Sequence, residues 1–341
     1  MSVSESARIT TPLPLLVVTA DPAPYLRVLP RCPDYHCVGV MTVAEAQSRL
    51  SATPVPLSVL IGADVPPDDL LSLLGRARQQ GFSACLADSA AIEPEVGQDL
   101  QQAFSQAGLS LQLGHPLRHR PMVEPVHTAL REGQLGEPGI LRVHDWQSTR
   151  EPGGIPPGWE WRSLRQWADL VVWLLGKAPD TVWATRPRMA GDAGVREASV
   201  ETVQIHCGGP GAAMVLIDLA HGLPTGDDYW SLSLIGSRGA AYADDHRNRQ
   251  LLFGGGTARA ECTREGDWPL LQLVRSFSTS PGWPGDRRPT ANGSQPPNTT
   301  AGSSPAFLPG ITSLQTAALV KAIRHSLQTN ESVRVPQDGA A

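Results

Sequence analysis

The chain lacks any run approaching the ~18 consecutive apolar residues of a membrane-crossing helix, so no membrane partner is expected. It also lacks a block of five or six like charges, and its 28 basic and 33 acidic residues leave a net charge of -5. Without a basic stretch to meet phosphates, nucleic acid is not an expected partner either. Cysteine is scarce and odd in number: Cys32, Cys37, Cys85, Cys207 and Cys262 are widely spaced, with no C-x-x-C pair to open a zinc or redox site. A reducing, cytoplasmic setting is the expectation. Leu13 to Ala20 imitates the apolar core of a secretory signal, but only Arg8 precedes it, Glu5 offsets that charge, and Pro12 and Pro14 interrupt it. There is no H-E-x-x-H pair among the nine histidines. His115 and His119 stand four apart across Pro116, which breaks the helical register that a metal pair needs, so no metal is expected. Gly254 to Gly256 has no following Lys-Ser and reads as a loop rather than a phosphate cradle.

What is present suits a globular protein of two ordinary domains: 341 residues, 41% hydrophobic and 18% charged. Over the first 120 residues, short apolar runs alternate with helix-like stretches, the pattern of a parallel sheet covered by helices. Leu15 to Val18, His36 to Val40, Leu57 to Ile61, Ser83 to Leu86 and Leu109 to Leu113 are its candidate strands. The intervening helices are a stunted one at Tyr25 to Leu29, then Val43 to Leu50, Leu70 to Gln80 and Glu95 to Ala107. In Leu70 to Gln80 the periodicity assigns Leu70, Leu71, Leu74 and Ala77 to one face, with Gly81 as the stop.

After Arg118 the texture changes. Met122 to Arg131 and Leu164 to Leu175 read as helices, and Thr316 to Gln328 as a closing one. Ile140 to Ser148, Thr181 to Thr185, Ser199 to His206, Ala212 to Leu219 and Trp230 to Ile235 read as strands of a large, mostly antiparallel sheet. From about 278 to 310 the chain is too rich in Pro, Gly, Ser, Asn and Thr to bury a core, and a flexible surface insertion is expected there.

Several segments carry a resemblance. Leu113 to Glu137 contains Gly114, Arg118, Pro121 and Gly133-x-x-Gly136-Glu137; Asp169-Leu-x-x-Trp-Leu-Leu-Gly176 and Ile235-Gly-Ser-Arg-Gly-Ala240 follow, and Ala317 to Leu327 leads to Val333 and Val335. In order and spacing these resemble the Gfo/Idh/MocA family, the relatives of glucose-fructose oxidoreductase, inositol dehydrogenase and MocA. The resemblance implies an α/β protein: a degenerate Rossmann-like domain over about residues 1 to 120, then a substrate and oligomerisation domain over 121 to 341 built on a large mostly antiparallel sheet. It also implies that the open face of that sheet makes oligomer contacts.

The positions that carry the family's chemistry are altered. A G-x-G-x-x-G turn should follow the first strand, so that the backbone approaches a dinucleotide pyrophosphate; here the place reads Thr19-Ala-Asp-Pro-Ala-Pro-Tyr25, with no glycine, two prolines without amide donors, and Asp21 where an anion is expected. The acid that holds the ribose hydroxyls falls at Met41 or Thr42. The family's proton-transferring lysine falls at Asp88, and its aspartate and histidine fall at Arg162 and Gln166. Neither an arginine nor an amide shuttles protons near neutral pH.

His115, Arg118 and His119 either line a pocket or form a polar hinge, and Asp169 either meets a ligand or positions a loop. Trp161, Arg162 and Gln166 complete the candidate pocket; Trp159 and Trp161, on the Pro/Gly-rich loop before the helix, are open between stacking on a ligand and packing, while Trp167 and Trp173 suit the core. Two functions follow. The first is a non-catalytic relative that binds a small polar molecule or a protein partner, with no cofactor, as a homo-oligomer or a heteromer with an active paralogue. The second is an active oxidoreductase on a sugar, cyclitol or related substrate, holding NAD or NADP in an atypical way.

Overall fold

In a computed structural model of the chain, residues 12–52, 57–148, 158–187, 200–224, 226–244, 249–254, 257–262, 266–278 and 309–337 are described. They divide into two compact units. The first takes the described residues up to Ile92, Val96–Pro116 and the stretch from Leu270 to Ser278; the second takes Glu93–Glu95, Leu117–Pro269 and the described residues from 309 onward.

The first unit is a five-stranded sheet in the order β2-β1-β3-β4-β5, with every neighbouring pair parallel. Its strands are β1 (Leu13–Val18), β2 (Tyr35–Met41), β3 (Ser58–Ile61), β4 (Ser83–Leu86) and β5 (Leu111–Leu113). The helices α1 (Ala23–Val28), α2 (Val43–Ala52), α3 (Pro67–Gln79) and α4 (Pro94–Gln106) alternate with them. Strands covered on both faces have no polar side to show, which is why Leu15, Leu16, Val17 and Val18 are all apolar and fully buried. In α3 the buried stripe is Leu70, Leu73, Leu74 and Ala77, at i, i+3, i+4 and i+7; Leu71, expected on that face, is 40% exposed instead. Strand order reverses at β1, whose neighbours are β2 and β3, and in sheets of this kind the crevice beyond the carboxyl ends of such strands is where ligands bind.

A further helix, α7 (Trp268–Ser278), was not evident in the sequence, being a single short apolar window beside a Pro/Gly-rich one. Most of it belongs to the first unit: Leu271, Val274 and Phe277 are buried at three-residue spacing, Phe277 stacks on Tyr35 with centroids 6.2 Å apart, and Ser276 Oγ accepts from Gln112 at 2.7 Å. The expected insertion at about 278 to 310 lies outside the described residues except at its rims, where Ser278 closes α7 and Pro309 opens α8 (Pro309–Thr329).

The second unit is a nine-stranded sheet in the order β13-β12-β11-β10-β6-β9-β8-β7-β14. These are β6 (Pro138–Ser148), β7 (Thr181–Thr185), β8 (Glu201–Gly208), β9 (Met214–Leu223), β10 (Tyr229–Gly236), β11 (Gly239–Asp244), β12 (Arg249–Gly254), β13 (Thr257–Cys262) and β14 (Val333–Arg334). Only β6 and β9 run parallel, at the centre. Alternation along β6, β8, β9 and β10 sends Leu141, Val143, Ile205, Ile217, Leu219, Leu232 and Leu234 to one side, where they pack with α5 (Glu124–Arg131), α6 (Trp159–Leu175) and α8. Among the described residues the other side is open, with Trp146, Trp183, Met214, Ile235 and Tyr242 between 37% and 51% exposed.

Candidate functional site

Beyond β1 the chain turns through Thr19, Ala20 and Asp21, and beyond β3 through Gly62, Ala63 and Asp64. The Asp64 carboxylate reaches into the first turn. Its Oδ2 accepts the amide of Ala20 at 2.6 Å and that of Asp21 at 2.7 Å, and the Thr19 hydroxyl stands 2.9 Å from both carboxylate oxygens. Gly62 makes the approach possible, since a Cβ there would lie 2.4 Å from Asp64 Oδ1. The next amide, of Ala23, donates to Asp21 Oδ1 at 3.1 Å, while Pro22 and Pro24 have none to give. Asp21, expected to repel a phosphate, thus closes an Asx turn leading into the short α1. Tyr25 is buried behind this turn, and burial together with the Asp64 charge pushes its phenol well above the usual range. Pro22 is exposed and Pro24 half-buried.

The residues at this switch point do not fit a dinucleotide. A pyrophosphate bound in the usual manner needs free backbone amides at the end of β1, and here a carboxylate of the protein already takes them. The ribose position fares no better. Thr42 is the N-cap of α2, and its amide and hydroxyl both donate to Glu45 Oε2 at 2.9 Å; these bonds commit the nearest acid and hold its carboxyl below the ordinary range.

Asp88, at the lysine position, is 2% exposed and accepts the amide of Ala90 at 3.0 Å, capping a 3₁₀ turn at Ser89–Ala91. His115 Nδ1 shares a hydrogen bond of 3.0 Å with Ser89 Oγ. The two loops are pinned together at Gly114, where a Cβ would fall 2.5 Å from the Ala87 carbonyl oxygen. Both His115 and Asp88 thus make local structural bonds within the first unit.

In the second unit Arg118 and Asp169 form a bidentate pair, Nε to Oδ2 at 2.8 Å and NH2 to Oδ1 at 2.5 Å, with side chains 14% and 8% exposed. Of the two readings of Asp169 this geometry favours positioning: from the middle of α6 it orients the arginine of the junction segment. The guanidinium lies 5.6 Å from the centroid of Trp173, which stacks on His127 at 3.6 Å. Burial, reinforced by Arg131 and Arg118, lowers the His127 pKa to about 4. His119 Nδ1 stands 3.6 Å from Glu124 Oε1.

Helix α6 begins five residues earlier than the apolar stripe indicates, so Trp159 and Trp161 lie on it rather than on a loop. Trp161 packs against the core under two guanidinium groups, Arg324 at 4.8 Å and Arg186 at 5.9 Å. Arg162 and Gln166, half-buried and one turn apart, share a helical face with Asp169. Trp167 stacks on Trp230 in the core at 5.7 Å and donates to Asp145 at 2.7 Å.

Two groupings escaped the sequence because only strand register creates them. On the open face Ser231, His144 and Asp218 stand directly opposite one another on β10, β6 and β9, with Oγ to Nδ1 at 3.0 Å and Nε2 to Oδ2 at 3.4 Å. The order resembles a hydrolytic triad, but Ser231 is only 7% exposed and sits on a central strand paired on both sides, where the ladders leave no turn of free amides for an oxyanion. It is a cross-strand polar ladder. On the helix-facing side, His221 is buried among Trp159, Glu201 and Asp145.

No family profile and no curated protein matches the sequence. Solved structures do match over almost the whole chain. An NAD-binding oxidoreductase from Klebsiella pneumoniae is 15% identical with a TM-score of 0.67, covering 96% of this chain and 100% of that one. A putative myo-inositol dehydrogenase from Sinorhizobium meliloti is 16% identical with a TM-score of 0.65, covering 95% and 100%. An oxidoreductase from Agrobacterium radiobacter in complex with NAD+, L-tartaric acid and magnesium is 14% identical with a TM-score of 0.66, covering 95% and 99%. The parallel sheet followed by the large mostly antiparallel sheet is thus the fold of dehydrogenases of the glucose-fructose oxidoreductase, inositol dehydrogenase and MocA type.

Proposed function

We propose that this chain keeps the dehydrogenase fold without dinucleotide chemistry, and acts by binding a small polar ligand. The observation that carries this reading is Asp64: its carboxylate takes the two backbone amides that a pyrophosphate requires. Around it, the positions of the family's proton-transferring residues hold Asp88, bonded into a turn, and the non-shuttling Arg162 and Gln166. Isothermal titration of the full chain with NAD+, NADH, NADP+ and NADPH tests it. No saturable heat is expected; a micromolar dissociation constant for any of the four overturns the reading and restores the active oxidoreductase, which the NAD+ in the Agrobacterium radiobacter structure favours.

The partner is a second copy of this chain, seated on the open sheet face, where Trp146, Trp183, Met214 and Tyr242 present apolar area to solvent. A reducing, cytoplasmic setting agrees with the unpaired thiols of Cys32, Cys37, Cys85 and Cys207. Among the described residues no helix is long and apolar enough to cross a membrane.

A further inference from the structure

Register places an acid-rich group on the helix-facing side of the second sheet. His221 of β9 stands opposite Glu201 of β8 and Gln147 of β6, and Asp145, two residues back along β6, is its diagonal neighbour. Trp159 lies against the imidazole with ring centroids 5.2 Å apart, and its indole N–H donates to Glu201 at 2.6 Å. Asp145 accepts from Trp167 at 2.7 Å and from Gln147 at 3.2 Å. Asp228 accepts from the amide and hydroxyl of Ser148 at 2.9 and 2.8 Å. His221 is 7% exposed, and among the described residues its Nδ1 has no hydrogen-bond partner. Burial lowers its pKa although Glu201, Asp145 and Asp228 all act to raise it, so the ring is neutral at neutral pH.

The inventory of donors and acceptors selects the ligand. Carboxylates only accept, and the indole, amide and hydroxyl donors named above already point at them. What remains is acceptor capacity, negative charge, an indole face and one buried nitrogen without a partner. An anion is repelled, and a neutral polyol brings as many acceptors as donors. A primary ammonium brings three donors and no acceptor, is drawn by the field, and suits an indole. Among the described residues no three such side chains have the geometry to hold a metal ion, which leaves an organic cation. We propose that His221, Glu201 and Asp145, under Trp159, form a binding site for a small primary ammonium compound, with the imidazole Nδ1 accepting one of its N–H bonds. The proposal deepens the small-ligand reading above and rests on it.

The test uses the full chain with ¹⁵N-labelled histidine, titrated with ethanolamine and, separately, with ethylene glycol, which has a hydroxyl in place of the ammonium. His221→Gln assigns the resonance. Ethanolamine is expected to shift the His221 ring nitrogens saturably and ethylene glycol to leave them unmoved. Glu201→Gln, at an exposed strand position, should keep the fold and weaken the response about tenfold, the equivalent of ~1.4 kcal/mol. Equal responses to the two probes, an undiminished response in Glu201→Gln, or none from His221 up to about 100 mM ethanolamine, far weaker than a ~1 mM site, overturns the proposal. The dinucleotide titration reads the Asp64 turn instead, so either result can fail while the other stands.

Discussion

Asp64 grips the turn at Asp21: one carboxylate oxygen accepts the amides of both Ala20 and Asp21, from a loop 43 and 44 residues further along the chain. The contact joins the turns after β1 and β3 across the switch point. Removing it leaves two amides to water at an exposed turn, so Asp64→Ala should cost about 1 to 2 kcal/mol, near the low end for bonds to a charged group. Urea unfolding should show a lower midpoint at an unchanged slope, since the surface buried does not change. An unmoved midpoint would mean the carboxylate is dispensable.

The open sheet face carries the next prediction. Met214 and Trp146, 51% and 38% exposed, lie on the two parallel central strands and point the same way. A Met214→Asp, Trp146→Asp double variant should place two charges in an apolar contact, which a buried interface tolerates poorly. Light scattering after size-exclusion chromatography should give an oligomer for the natural chain and a monomer for the variant. Identical masses for both would remove this face as the contact.

The fold was legible where burial imposes a period. Leu15 to Val18 reads as a strand because both its faces are covered, and Trp167, Val171 and Leu174 read as helix because one stripe is. The strands β11, β12 and β13 were missed: Ala240 to Ala243 and Thr257 to Ala260 are too small or too polar to alternate visibly. Of the altered cofactor turn, the missing glycines and the two prolines could be read directly. The Asp64 contact could not, because it depends on β1 and β3 being neighbours, which local sequence does not encode. His221 was missed for the same reason: its surroundings come from β6, β8 and α6.

His127 gives a pH dependence. Its pKa falls from 6.5 to about 4 in the folded chain, first through burial and then through Arg131 and Arg118. Between those values the unfolded chain binds a proton that the folded chain refuses, so stability rises with pH there. This contribution is fully present above about 6.5 and is lost as pH falls toward 4. In His127→Phe, which keeps a ring against Trp173, the decline in melting temperature from pH 7 to pH 4 should be shallower. Titration of the His127 Cε1 proton near 6.5 by NMR would contradict the burial effect.

Arg118 and Asp169 are joined by two parallel hydrogen bonds and are 51 residues apart in sequence, with both side chains largely shielded from water. Removing either partner takes a two-point bond from the shielded charge that stays, a loss of about 3 to 5 kcal/mol for a fully buried pair and toward the lower figure here. Removing both takes the two charges away together, so Arg118→Met with Asp169→Leu should be much less destabilised than the two single losses together predict. The cycle therefore isolates a coupling of about 1 to 3 kcal/mol, whereas additive losses would show that the pair contributes only through packing. Lysine separates charge from geometry: an ammonium restores the positive sign but cannot meet both oxygens in one plane or lie flat beside Trp173. Arg118→Lys should accordingly recover only part of the stability lost in Arg118→Met. Full recovery would mean that the sign of the charge at residue 118 matters and the two-point grip of Asp169 does not.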